Sequence, residues 1–238
     1  MHIKVMTYNI HHGKGLDKKV NLDRICKVIA DSNADIIGLN EVDRYYSERS
    51  HFQDQMEYLT KELNYFGAFS PSLALQPRKK YLTRQYGNGI LSRFPIDAPK
   101  SYVFNKRLFG IEDRSILEVT IPLCNKLVHF YVTHLSLNPS LHRQQSEFLI
   151  TKAKSPAVII GDWNMKVRSK RWKRVVKVYR DVWDSIDSQD GLTYPAKNPR
   201  KRLDYIFVSK DFTILDVQIN DSIPIASDHL PFVSTLSL

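Results

Sequence analysis

Residues 157–164 read Ala-Val-Ile-Ile-Gly-Asp-Trp-Asn, an unbroken apolar run that stops abruptly at a glycine, an aspartate and, two positions on, an asparagine. A short apolar run bounded by turn-forming residues reads as a buried strand. Gly161 permits a sharp exit from that strand or a close approach of another group. Asp162 and Asn164 stand where the apolar pattern ends, the place where a rigid scaffold presents chemistry. An Asp and Asn after a strand also build an Asx turn, so this stretch by itself does not declare a function.

The same pattern recurs along the chain. The buried strand expected over 35–39 ends in Asn40-Glu41, the strand over 128–133 ends in His134, and Asp204 opens an apolar strand over 205–208. Further strands are expected over 3–9, 65–70, 89–92, 101–104, 115–121, 127–135, 214–219 and 232–238, several with period-two alternation. Helical periodicity covers 22–30, with Asn21 or Asp23 as its cap, 53–63 and 141–152, and the basic stretch after Met165 is expected to be helical. Residues 71–86 read as a basic, proline-containing loop without period, carrying Arg78, Lys79, Lys80 and Arg84. Strands in both halves with a few helices between them point to two packed sheets with helices outside, an α/β fold. With 238 residues, 42% hydrophobic, and no linker or internal repeat, one domain spanning 1–238 is the expectation.

Lys and Arg number 35 against 25 Asp and Glu, a net charge of +10, which favours partners rich in phosphate: nucleic acid or an anionic membrane surface. Part of that excess is local. Lys166, Arg168, Lys170, Arg171, Lys173, Arg174, Lys177 and Arg180 follow one another with no acidic residue between them. The stretch is either a solvated helix face or a phosphate-tracking patch. Cys26 and Cys124 are too few for a disulfide framework and lack metal-binding spacing, which fits a reducing compartment. The start reads directly into a strand and no later run approaches a membrane span, so a cytoplasmic protein without an integral membrane segment is expected, and a monomer.

Hydrolysis of a phosphate ester requires neutralised phosphoryl charge, an activated water, a protonated leaving oxygen and the positioning of all three. A hard cation such as Mg²⁺ takes oxygen ligands, and Glu41, Asn9 and Asp228 are candidates. Asp162, after an apolar strand, is placed to act as base toward water. Asn164 offers an amide donor to phosphate without adding charge. His229, in Ser227-Asp228-His229, is a candidate donor to phosphate that needs a partner to hold its tautomer, and Asp204 is a candidate for that partner. The alternative for Asp204 is a surface salt bridge with Arg202. His134 offers a second imidazole to protonate the leaving group. Asn88 and Arg114 are further candidates for binding substrate, with satisfaction of local backbone as the alternative.

Taken together, the segments Thr7-Tyr8-Asn9-Ile10, Leu39-Asn40-Glu41-Val42, Gly89-Ile90-Leu91-Ser92-Arg93, Val132-Thr133-His134-Leu135, Gly161-Asp162-Trp163-Asn164, Arg202-Leu203-Asp204-Tyr205 and Ser227-Asp228-His229 carry a resemblance. The chain resembles the endonuclease/exonuclease/phosphatase superfamily, also called deoxyribonuclease I-like, over nearly its whole length and in that family's order. The resemblance implies a four-layer α/β/β/α sandwich with two central mixed β-sheets and a Mg²⁺ (or Mn²⁺) site at their common edge. It makes Glu41 the principal metal ligand with Asn9 beside it, and Asp228 a further metal-side carboxylate. It gives Asp162 the nucleophilic water, Asn164 the phosphate and Asp204 the support of His229, while Arg143 and Gln145 match a structural signature. Asn40 stands where that family commonly has Gln, and Trp163 where Phe is usual. His134 stands where the branch that cleaves DNA at abasic sites has Tyr, which turns the expectation away from that substrate.

The expected function is therefore a divalent-metal-dependent phosphodiesterase, a nuclease acting on nucleic acid. Alternatives are a phosphodiesterase or phosphatase of lipid headgroups or inositol phosphates, and a non-catalytic nucleic-acid-binding module. Carboxylates that repel phosphate argue against the last.

Overall fold

The computed structural model describes residues 1–77, 83–105, 112–186 and 190–238. In chain order its elements are β1 (His2–Asn9), α1 (Leu22–Ser32), β2 (Ile36–Arg44), α2 (Gln55–Leu63), β3 (Phe66–Leu75), β4 (Arg84–Ser92), β5 (Asp97–Phe104), β6 (Arg114–Leu123), β7 (Lys126–His134), α3 (Pro139–Lys152), β8 (Ala157–Asp162), α4 (Lys170–Val175), β9 (Arg180–Asp181), α5 (Val182–Ile186), β10 (Asp204–Val208), β11 (Thr213–Ile219) and β12 (Phe232–Ser237). They form two six-stranded mixed sheets, ordered β11-β12-β1-β2-β4-β3 and β5-β6-β7-β8-β10-β9.

Each sheet has one parallel pair at its centre, β1 with β2 and β7 with β8, flanked by antiparallel neighbours. Between the sheets lies a dry layer in which Val5, Ile36 and Ile90 of the first meet Val132, Ile160 and Ile206 of the second. The outer face of the first sheet presents Met6, Ile37 and Leu91 to Ile25, Val28 and Ile29 of α1 and Leu59 of α2. That of the second presents Tyr131, Ile159 and Phe207 to Leu149 of α3 and Trp172 of α4. Because the central strands are covered on both faces, they are apolar throughout rather than alternating. The four-layer α/β/β/α arrangement is the one the sequence led us to expect.

Helix starts follow their caps. Asn21, not Asp23, caps α1, its side chain accepting the Arg24 N–H, and Asn33 ends the helix in the left-handed region. Asp54 caps α2 and Asn138 caps α3, with Pro139 in the first turn, so these two helices begin two residues away from the expected 53 and 141.

Three expectations change. The loop placed over 71–86 is strand at both ends, β3 running to Leu75 and β4 starting at Arg84, while Arg78, Lys79 and Lys80 lie outside the described residues. Pro71 hides this because it cannot donate to the ladder. It sits on an edge strand, where the register shifts between Pro71 and Leu73. Likewise β5 is an edge strand that absorbs Pro99 at a register shift, so it starts at Asp97 rather than 101. The helix expected through the basic stretch shrinks to the six residues of α4, capped by Ser169. Consecutive cations without acidic partners four residues away repel along a helix. The ion pair that Arg174 makes runs to Glu147 of α3 instead. No helix among the described residues is long and apolar enough to cross a membrane.

Candidate active site

The two parallel pairs end at the same edge of the sandwich, and their registers set the site. Asn9 at the end of β1 is level with Asn40 on β2, and His134 at the end of β7 is level with Asp162 at the end of β8. Asp204 opens β10 antiparallel to β8 and so lies beside Asp162 as well. At the β8 exit Gly161 has φ +143, and a Cβ there would lie 1.8 Å from the Thr133 carbonyl oxygen on β7. Only glycine fits this crossing, which turns Asp162 inward.

Across the seam the sheets are joined by Asn40. Its Nδ2 donates to Asn88 Oδ1 (2.7 Å) and to the Thr133 carbonyl (3.0 Å), while its Oδ1 accepts the Asp162 N–H (2.8 Å). Asn88 in turn donates to the Ser115 carbonyl on β6 (2.8 Å). Asn88 is 1% exposed, so the structure places it behind the site and not among the residues lining the cleft. The next residue, Glu41, occupies the left-handed region (φ 60) where the β2–β4 register shifts between Leu39 and Val42. This bulge aims Glu41 into the cleft; such backbone strain is held in place by the ladders on either side.

The cleft, about 630 Å³, is lined by Glu41, His134, Asp162, Asn164, Asp228 and His229, with Arg114 beside them. Asp162 is the hub. Its Oδ1 accepts the Asn164 N–H (2.9 Å), and its Oδ2 lies 3.3 Å from Asn9 Nδ2, 3.5 Å from His134 Nε2 and 3.8 Å from His229 Nε2. Burial, then the nearby Asp204 charge, pushes the Asp162 carboxyl up to about 7. His229 donates through Nδ1 to Asp204 Oδ2 at 2.8 Å. Burial alone would lower His229, yet Asp204, Asp162 and Asp228 together raise it to about 10, so it is an imidazolium at neutral pH. His134 goes the other way. Burial, Arg114 and His229 hold it well below the usual histidine range, and its ring is neutral.

Asp204 does not pair with Arg202, whose guanidinium binds the buried Asp181 instead (3.0 and 3.3 Å). Asn9 meets Glu41 with its amide nitrogen (3.0 Å), because its oxygen accepts the His11 N–H (3.0 Å). In this arrangement Asn9 steadies Glu41 through its amide nitrogen. Asn164 (φ 45) donates to the Leu135 carbonyl (3.0 Å), which leaves a second amide proton toward the cleft. Arg114 is 7% exposed and pairs with Glu112 (2.8 Å) at the rim.

Further residues complete the site, and of these the sequence had marked Gln145 as part of a structural signature. Gln145 accepts the Ser136 N–H (2.9 Å) and donates to the His134 carbonyl (3.4 Å), fixing the strand exit from α3. Thr193 Oγ1 accepts the Leu203 and Asp204 N–H groups, and the Tyr194 ring lies 4.8 Å from that of His229. Arg49 lines the cleft, clamped by buried Asp43 (2.7 and 2.9 Å) over the Tyr46 ring. Lys201 lines it too, and also lines an adjoining hollow with Lys166 and Arg200. Asn40 had also given a signal, as an amide ending an apolar run.

A sequence model of the endonuclease/exonuclease/phosphatase family matches residues 6–229. The YbhP protein of Escherichia coli (strain K12) is 23% identical, aligned over 99% of this chain and 96% of its own length. A solved endonuclease/exonuclease/phosphatase from Beutenbergia cavernae superposes with a TM-score of 0.84 at 23% identity, covering 100% of this chain and 72% of that one. A mannosyl-6-phosphatase from Bacteroides thetaiotaomicron gives 0.70 at 17% identity, covering 99% and 100%. At these identities the two structures establish likeness of fold.

Proposed function

The chain belongs to the endonuclease/exonuclease/phosphatase family, whose members hydrolyse phosphate esters, and on that premise we propose that it is a divalent-metal-dependent phosphodiesterase acting on nucleic acid. The observation that carries the chemistry is a single buried carboxylate, Asp162, facing two imidazoles of opposite charge state.

Asp162 is poised near neutrality, the condition for a general base at physiological pH. It takes the proton of the attacking water. Asp162 keeps that proton, with the neutral His134 ring 3.5 Å away as its neighbour, and gives it up to the departing oxygen or to solvent once the ester bond has broken, so the proton lost by water is accounted for. His229 holds its proton, anchored at Nδ1 by Asp204, and donates from Nε2 to a phosphoryl oxygen whose charge grows in the transition state. The free amide proton of Asn164 adds a neutral donor to the same group.

The carboxylates beside this centre fit a divalent cation. Glu41 and Asp228 line the cleft as carboxylates, and one or two carboxylates with water suffice for Mg²⁺ or Mn²⁺. Bound there, the cation would supply Lewis-acid neutralisation of the phosphoryl charge. Asn9, its nitrogen toward Glu41, orients that carboxylate.

Nucleic acid is supported by the spread of cations. Arg49 and Arg114 in the cleft are matched by Asp43 and Glu112, but Lys201 also lines it, and Arg200 and Lys166 continue past Lys201 into an adjoining hollow that holds Asp190, a row of cations that suits a phosphate next to the one cleaved. The test is a labelled single-stranded oligonucleotide incubated with Mg²⁺ or Mn²⁺, and with chelator, beside a glycerophosphodiester. Metal-dependent cleavage of the oligonucleotide supports the reading. Turnover of the small diester alone would move the substrate to lipid headgroups.

A further inference from the structure

Two consecutive histidines follow β1 in a single 3₁₀ turn, His11–Gly13, and neither takes part in the proton transfers described above. One ring nitrogen of each and a carboxylate oxygen of Glu41 lie within 4.8 Å of one another. We propose that His11 and His12 join Glu41 in a nitrogen-bearing cation subsite, which gives this centre a transition-metal dication of the Mn²⁺, Co²⁺ or Zn²⁺ kind in preference to Mg²⁺.

The arrangement is built rather than incidental. Both histidines occupy the left-handed region, with φ 46 and 44, which turns two adjacent side chains toward the same place. His12 is only 7% exposed, and its Nδ1 has no hydrogen-bond partner among the described residues. An unpartnered nitrogen in so buried a residue is a group that a bound cation would satisfy. Its backbone is pinned from the other side: Gln55, fully buried, donates to the His12 carbonyl (2.8 Å) and accepts the Asp43 N–H (2.9 Å). His11, whose ring meets that of His12 edge-on at 4.5 Å, has Nδ1 3.6 Å from Asp228 Oδ1. The second carboxylate already counted among the cation's donors therefore stands beside the pair.

The selectivity follows from donor chemistry. Mg²⁺ demands oxygen and holds its waters, whereas imidazole suits the borderline dications. Two nitrogens beside Glu41 shift the balance toward the latter. The inference rests on reading Glu41 as a metal ligand but not on which ester is cleaved.

The test is titration of the full chain, ¹⁵N-labelled at histidine, with Zn²⁺ and separately with Mg²⁺. The expected result is that one equivalent of Zn²⁺ moves the ring-nitrogen resonances of His11 and His12 while Mg²⁺ does not. In calorimetry, the double variant His11→Asn, His12→Asn loses at least about tenfold in Zn²⁺ affinity and keeps its Mg²⁺ affinity. Asparagine is chosen because it tolerates the left-handed backbone. Zn²⁺ shifts confined to other histidines, or equal Zn²⁺ affinity in the folded variant, would overturn the proposal. If the variant does not fold, the wild-type resonances decide. Absence of diester turnover with any metal is a separate outcome that removes the catalytic reading and leaves these shifts standing.

Discussion

Asp162 is where function and stability oppose each other. Its carboxyl binds a proton more tightly in the folded protein than at the ordinary carboxylate value of 3.8, so the fold is favoured with the proton on and weakened as pH rises toward about 7. Asp162→Asn should therefore melt above wild type at about pH 8, with a smaller gap at about pH 5, at roughly 2–4 °C per kcal/mol for a chain of this size. A variant less stable at both pH values would contradict the assignment. His229 has the reverse logic. Against the effect of burial, Asp204 and its neighbouring carboxylates keep it protonated to about 10. Asp204→Asn removes the main partner, and the alkaline limb of the pH–rate profile should fall by about 1–3 units. An unmoved limb would mean that His229 is not the phosphate donor.

At the scale of elements, the site is a consequence of register. Two parallel pairs, β1–β2 and β7–β8, stop at one edge, and Asn40 ties them across the seam. Asn40→Ala leaves the Asp162 N–H and the Thr133 carbonyl without partners in a dry seam, costing about 1–3 kcal/mol for each buried group. We expect a lower Tm, read by calorimetry, and a kcat reduced with KM little changed, because Asp162 loses its position and not its charge. Much of this was legible in the sequence. Asp162, His134, Glu41 and Asp204 each interrupt or bound an apolar run, a pattern that burial of an unpaired polar group would not tolerate without a reason. What stayed hidden depends on tertiary geometry. The Glu41 bulge, the prolines Pro71 and Pro99 absorbed on edge strands, and the amide orientation of Asn9 are set by neighbouring strands. His11 and His12 carry no periodic signal, since a turn of this kind has none.

For the whole molecule, the +10 charge is not spread evenly in purpose. The basic stretch read from the sequence divides: Lys166 reaches the hollow beside the cleft, whereas Trp172, Val175 and Tyr179 anchor α4 and its neighbours in the outer core. Reversing Lys166, Arg200 and Lys201 should raise KM for an oligonucleotide and flatten its dependence on salt. Reversing the exposed Lys170, Lys173 and Lys177 should do less of both. Equal effects from the two sets would shift the substrate path onto α4. If buried Asp162 drives metal-dependent phosphodiester hydrolysis, turnover must fail both without the metal and without that carboxylate. The most direct measurement is turnover of bis(4-nitrophenyl) phosphate by the purified chain with Mn²⁺ or Mg²⁺, with chelator, and by Asp162→Asn. Nitrophenolate release is expected, abolished by chelator and lowered by the substitution by at least about a hundredfold. Release unaffected by the chelator or by the substitution, or none with either metal, would contradict it.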